Sequence, residues 1–357
     1  MTIRAVRHAY LDRVRGLAVL IMIEAHVLDS WTRVADRAHP WFGYAMMVGG
    51  MGAPLFLFLA GVAVVLSAES KFRRSGDFDA SWRAVRNRGW QVFGLAFLFR
   101  LQSYVLSGAY SAASLLRVDI LNIMGPSIAM AAVAGRLARR RWTKGFLLAA
   151  IALGIAVLTP IVRTTALLNG MPDPIEWYFR PFPGRNNFTL FPWAGFVFAG
   201  AAAGVAIDAS RASSNKGAKV QVWLAAAAIL LVFLGYRASF FPSIYTRSEF
   251  WTSSPTFFVI RVGILLMLLP LTFLWDRARQ RRKVNRWSPL EVLGRASLFV
   301  YWVHVEMVYG FFSRPLRRSL SFGAVFVAFA VFTVFLLGLV VLKNRLAIYL
   351  TDSKSVI

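Results

Sequence analysis

Two histidines set the terms of the chemistry. The chain has 357 residues, four histidines and no cysteine. His26 and His304 each lie deep inside a long apolar stretch, whereas His8 and His39 do not. The lack of cysteine removes disulfides, thiolate nucleophiles and thiolate-bound metals, and so few histidines give no basis for a metal centre. An imidazole changes charge near neutral pH, which suits it to take a proton from an attacking amine or hydroxyl. Asp29 follows His26 by three residues, on the same helical face, where a carboxylate can fix the imidazole tautomer. His26 is therefore the candidate base and Asp29 its expected orienting partner. His304 is a second site histidine that orients the acceptor or shuttles the proton.

Arg15 precedes His26 by eleven residues, and eleven steps of 100° return to within about 20° of one helix face. The two side chains are then separated by roughly 16 Å along the axis. A cation at one end and a base at the other suit a long ligand with an anionic head and a reactive tail. Acyl-CoA is such a ligand, and arginine binds phosphate through paired donors. Arg86 and Arg88 are further candidates for the CoA phosphates, and an arginine at a helix end is equally a topology anchor. Asn122 and Arg100 are candidates for substrate binding. Asp119, three residues before Asn122, either caps a helix or binds substrate. Glu24 and Glu306 are two residues from a histidine and point elsewhere, with Arg100 or another basic group as the expected partner.

The elements that carry these residues are apolar and long. Hydrophobic residues make up 58% of the chain, charged residues only 16%, and the mean hydropathy is +0.58. This composition leaves too little polar surface for a soluble globule and points to an all-α, polytopic membrane protein. A window of about 20 residues gives ten candidate spans, at 13–31, 43–68, 87–107, 119–137, 144–162, 189–208, 219–236, 256–275, 290–312 and 321–343. No long soluble segment remains, so residues 1–357 read as a single membrane domain. Glu24, His26 and Asp29 follow the first apolar run directly, without a small-residue cleavage site, which predicts a retained helix rather than a signal peptide.

The net charge is +25, and the basic residues alternate between loops. Arg4, Arg7, Arg13 and Arg15 begin the basic side. Residues 71–88, 136–144, 211–219 and 277–286 continue it, and the intervening loops hold fewer. The positive-inside rule then places both termini in the cytoplasm and leaves no reason to invoke nucleic acid. On this topology His26 is roughly 20 Å from the start of its span, and His304 is at a similar depth. Such intramembrane ionisable groups are costly and point to function. The loop at 163–188, with four prolines, Trp177, Tyr178 and Phe179, reads as an ordered outer cap. GGMGAP at 49–54 weakens helix continuity, and Gly200 to Gly204 form a small-residue packing face.

Several blocks resemble a known family. LDRVRGLAVLIMIEAH at 11–26 is similar to the first helix of transmembrane acyltransferases. With APLFLFLAG at 53–61, VDILNIMG at 118–125, FPWAGF from Phe191 and LGRASLFVYWVHVE at 293–306, it resembles the heparan-α-glucosaminide N-acetyltransferase catalytic-domain family. The related acyltransferase family 3 has an arginine, ten residues and a histidine in its first helix, matched by Arg15 and His26. The resemblance implies transfer of an acetyl or other acyl group from cytoplasmic acyl-CoA, the co-substrate, to an extracytoplasmic acceptor. That acceptor is a sugar amine or hydroxyl on a glycan or small molecule. The histidine is either a base or a transient acyl carrier. The position of His26 inside its helix, and the arginine- and alanine-rich composition, suggest the bacterial branch and the bacterial inner membrane, in the lipid bilayer. A homodimer is compatible with this. The alternative is a proton-coupled transporter of small molecules or lipid-linked glycans. Such a protein uses the same intramembrane groups but favours broken helices in both halves, and GGMGAP has no evident counterpart.

Overall fold

A computed structural model of the chain describes residues 8–107, 112–212, 214–282 and 287–352. Arg4, Arg7, Lys283 and Arg286, counted above in the basic loops, lie outside the described residues. The fold is helical: α1 (Ala9–Trp31), α2 (Pro40–Gly49), α3 (Gly52–Ser75), α4 (Phe78–Ser107), α5 (Ile120–Leu137), α6 (Arg141–Thr164), α7 (Asp173–Glu176), α8 (Leu190–Ala209), α9 (Ser214–Ala238), α10 (Pro255–Arg281), α11 (Pro289–Arg295), α12 (Ser297–Tyr309) and α13 (Phe322–Asp352). Among the described residues, seven helical stretches are long and apolar enough to cross a membrane. They coincide with seven of the ten expected spans. The expected spans at 13–31 and 87–107 are helical, as α1 and α4, but carry many polar groups: Arg15, Glu24 and Asp29 in the first, Arg88, Gln91 and Arg100 in the second.

The third departure is a correction. The span expected at 290–312 is not one helix but two, α11 and α12, divided at Ala296 (φ −103°, ψ 18°). The cause is a close helix crossing. A Cβ on Gly294 would overlap the backbone of Asp12, and one on Gly16 would overlap the backbone of Leu290. The α1 and α11 main chains thus touch with no side chain between them, and α11 ends where that contact ends. A second interruption at Gly50 and Met51 separates α2 from α3, as GGMGAP predicts.

The chain divides into two compact units. The central unit, named for its place in the sequence, is Pro54–Leu274; the terminal unit combines Arg7–Ala53 with Trp275–Ile357. In the terminal unit α1 packs against α2, α11, α12 and α13. A parallel bridge joins Thr32 to Leu320, and the Asp36 carboxylate caps α13 by accepting the Phe322 N–H at 2.7 Å.

In the central unit α4 packs on α5 and α6 on α8. Gly89 faces the backbone of Ala129, and Gly125 that of Phe93, so α4 and α5 approach closely. Gly200 and Gly204 bring α8 onto Phe58 and Val62 of α3, which is helix packing. The loop at 163–188 is ordered. Asn186 bridges to Val118, and Trp177 packs with Val118 and Ile123. The Asn186 side chain holds the loop together, its amide donating to the Trp177 and Arg180 carbonyls and its oxygen accepting the Phe182 N–H at 2.7 Å.

Candidate active site

Helix α1 supplies His26 and α12 supplies His304, 278 residues apart in sequence. Their rings lie nearly parallel, 5.1 Å between centroids and 8° between planes, and His26 Nδ1 is 2.9 Å from His304 Nε2. His304 is completely buried, and its Nδ1 lies 2.8 Å from the Val300 carbonyl oxygen one turn earlier in α12.

This geometry dictates the tautomers. A carbonyl oxygen only accepts, so His304 Nδ1 carries the proton. Neutral His304 then offers a lone pair at Nε2, and His26 must donate to it from Nδ1. The consequence is a lone pair on His26 Nε2, which makes no hydrogen bond among the described residues. The relay runs Val300 carbonyl, His304, His26, and ends in a basic nitrogen with no internal partner. A base held in one tautomer by a second group is the arrangement that general-base catalysis needs.

The hydrogen bond to His26 that was expected of Asp29 is made by His304. Asp29 makes no hydrogen bond to His26. Its exposed carboxylate accepts from the Tyr309 hydroxyl at 3.1 Å and faces Arg37 at 3.8 Å, and its carbonyl accepts from Arg37. The physical reason is competition: the imidazole nitrogen that Asp29 was expected to engage is already committed to His304. Tyr309 links the two groups, packing edge-on against His26 at 5.4 Å while it bonds Asp29. Arg317 in turn bonds the Tyr309 and Gly310 carbonyls and fixes the end of α12. Sequence reasoning missed Tyr309, Arg37 and Arg317. Tyr309 is five residues from His304, a spacing that announces no shared face.

Glu24 was expected to pair with a basic group. It forms no ion pair among the described residues, and its Oε2 is buried without a hydrogen bond. It lies beside Gly49, where a Cβ would come within 3.1 Å of that oxygen. The α2–α3 break and the unpartnered carboxyl are thus neighbours.

Arg15 occupies the opposite end of α1, in a cluster of three guanidiniums and three carboxylates. Arg15 bonds Asp12 at 3.2 Å, and Arg295 reaches Asp12 at 3.4 Å and also bonds Glu291. Arg13 bonds Asp276, faces Glu291 at 3.5 Å and stacks on Trp275. Arg13 is buried in this cluster, whereas the Arg15 side chain is 29% exposed.

The remaining predicted residues belong to the central unit. Arg86 bonds Asn87 at 3.2 Å and Arg88 bonds Gln91 at 3.2 Å, both within α4. The expected substrate-binding trio is tied up in the fold. Asp119 is the N-cap of α5 and pairs with Arg100. Asn122, 1% exposed, accepts the Asp119 N–H at 3.0 Å and donates to the Tyr178 hydroxyl at 3.4 Å. Its amide thus bonds the α5 cap and the outer loop.

An all-helical, multi-pass protein whose histidine pair, one member buried, ends in a basic nitrogen without a hydrogen bond among the described residues fits the class of integral membrane enzymes. The family is shown by sequence comparison. A family model described as "Heparan-alpha-glucosaminide N-acetyltransferase, catalytic" matches residues 7–244, and the chain belongs to that family. It is a membrane acetyltransferase. A comparison with curated proteins finds no match. The family match includes Arg15, Glu24, His26 and Asp29, while His304 and Tyr309 fall beyond it.

Proposed function

We propose that the protein moves an acetyl or other acyl group from acyl-CoA, supplied on the cytoplasmic side of a bacterial inner membrane, to a sugar amine or hydroxyl on the opposite side. The single observation that carries this reading is the His26–His304 contact in a chain of this family. His26 Nε2 takes the proton of the acceptor as its nitrogen or oxygen attacks the thioester carbonyl. The carbon–sulfur bond then breaks, and the CoA thiolate leaves and collects that proton. His304 keeps His26 in the required tautomer throughout. Arg15, half-exposed at the far end of the same helix, receives the CoA phosphates. Both termini are cytoplasmic on this reading, from the alternation of basic loops.

A second reading draws on one observation. The break at Ala296 gives the interruption at residues 50–51 the companion that a transporter favours. Acyl-CoA consumption separates the two. Purified protein in nanodiscs is incubated with radiolabelled acetyl-CoA and a panel of amino sugars and neutral glycans. Label transferred to an acceptor, and lost in the His26→Ala variant, supports transfer. A wild-type protein that consumes no acyl-CoA with any acceptor overturns it and leaves transport ahead. Arg15→Ala should weaken CoA binding about tenfold and Arg15→Lys recover part of it, since lysine keeps the charge and loses the fork. Unchanged CoA affinity by calorimetry would reduce Arg15 to an anchor.

A further inference from the structure

The central unit has a cleft of about 410 Å³ between the start of α4 and the end of α5. Four guanidiniums line it, from Arg83, Arg86, Arg136 and Arg139, against the single carboxylate of Asp79. Asp79 engages only two of them, Arg136 at 2.7 Å and Arg139 at 3.6 Å. Arg86 bonds a neutral partner, Asn87. Arg83 makes no hydrogen bond among the described residues and feels Asp79 only through longer-range attraction. The cleft therefore holds a surplus of positive charge, with two guanidiniums left to bind an anion. Its floor is Trp82, fully buried between the Gly135 backbone and the Lys144 ammonium, with an indole N–H that has no hydrogen-bond partner.

The wall of the cleft is apolar. Val133 and Leu137 line it and are 45% and 76% exposed. With Met130, also exposed, they form a stripe at helical spacing along α5. On a helix that spans the membrane such a stripe faces acyl chains, and it leads directly into the arginines. A free anion would use the arginines and leave the stripe unused; a phospholipid uses both.

We propose that this cleft binds the phosphodiester of an anionic membrane lipid, with Arg83 and Arg86 on the phosphate oxygens and an acyl chain along Met130, Val133 and Leu137. Guanidinium pairs suit phosphate oxygens, and basic pockets between spanning helices on the cytoplasmic side hold anionic headgroups. The site is independent of the histidine chemistry and stands whether or not His26 is the base.

The test uses the full chain in nanodiscs of phosphatidylcholine with and without phosphatidylglycerol, followed by native mass spectrometry of retained lipid. Wild type should keep phosphatidylglycerol in preference to phosphatidylcholine. Arg83→Ala with Arg86→Ala should lower that preference about 30-fold, at roughly fivefold per basic side chain near an anionic surface. The paired lysine variants, Arg83→Lys with Arg86→Lys, should keep much of it, which separates loss of the site from loss of fold. Removing two exposed arginines elsewhere, Arg281→Ala with Arg282→Ala, should leave the preference intact. An unchanged preference in the first variant, or an equal loss in the control, overturns the site. If free CoA displaces the lipid and the first variant loses CoA affinity in parallel, the phosphates are those of a soluble ligand and the lipid assignment falls.

Discussion

The residues singled out from the sequence end in different surroundings in the terminal and central units. In the central unit the polar groups around α4, α5 and the outer loop bond one another. Arg100 pairs with Asp119, Asn122 caps α5 and reaches Tyr178, and Arg180 bonds Asn169 and Glu176 at 2.7 Å each. Lys144 is buried against Glu69. On α1 of the terminal unit, His26 Nε2 and Glu24 Oε2, on residues two apart, make no hydrogen bond among the described residues. A buried polar group without a partner is costly. On the proposed function, the open nitrogen of His26 is the one that the acceptor's proton would reach. The lesson is that type and depth alone do not mark a reactive residue; what matters is whether its bonds are already taken.

The sharpest way to break this contrast is to remove the open group. His26→Ala should retain fold and CoA binding and lose about 10²–10⁴-fold in turnover, the usual cost of a positioned base. His304→Ala should lose turnover with little change in acceptor KM, because His304 acts through His26. A loss confined to KM would return His304 to acceptor binding. Next in size is a purely structural effect. Lys144→Met strands the Glu69 carboxylate and should destabilise the protein by about 3 kcal/mol, read as a lower unfolding midpoint, with turnover per folded molecule retained.

Asn122→Ala should cost about 1 kcal/mol through loss of the α5 cap and leave acceptor KM unchanged. A raised KM at unchanged stability would return Asn122 to substrate binding. The smallest effect concerns Asp36. A side-chain bond from Arg33, then the Phe322 N–H, holds its carboxyl below the usual carboxylate range. A depressed folded value means the contribution is present above the unfolded carboxylate pKa and is lost as pH falls through the folded one. Thermal stability should thus decline a little on acidification below about pH 4, and Asp36→Asn should flatten that decline. An identical acid profile in the variant would remove Asp36 as its source.

Much of the fold was legible because span length and apolar content are dictated by the bilayer rather than by neighbouring helices. The matched depth of His26 and His304 followed from counting along two helices. The break at Ala296 was not legible, because its cause is the crossing of Gly294 over Asp12, a contact between residues at opposite ends of the chain. Asp29 was misplaced for a related reason. Helical spacing shows which side chains share a face, but not that α12 brings Tyr309 and His304 to claim that face first. The sequence offers Asp119 as either cap or site and Asn122 as site; it cannot show that Asp119 sits at the N-cap of α5 or that Asn122 reaches Tyr178 across 56 residues.

The terminal unit is assembled from the first and last parts of the chain, and that imposes an order in time. During synthesis α1 is made, with Arg13 and His26, long before Asp276, Glu291 and His304, which pair with them, exist. His304 follows His26 by 278 residues, which at ribosomal rates of about 5–20 residues per second is a delay of roughly 14–56 s. Through that interval α1 lacks these partners, and the central unit is completed first. On the proposed function, the base therefore acquires its orientation only near the end of translation, so that a nascent chain released early would have the central unit and no oriented His26.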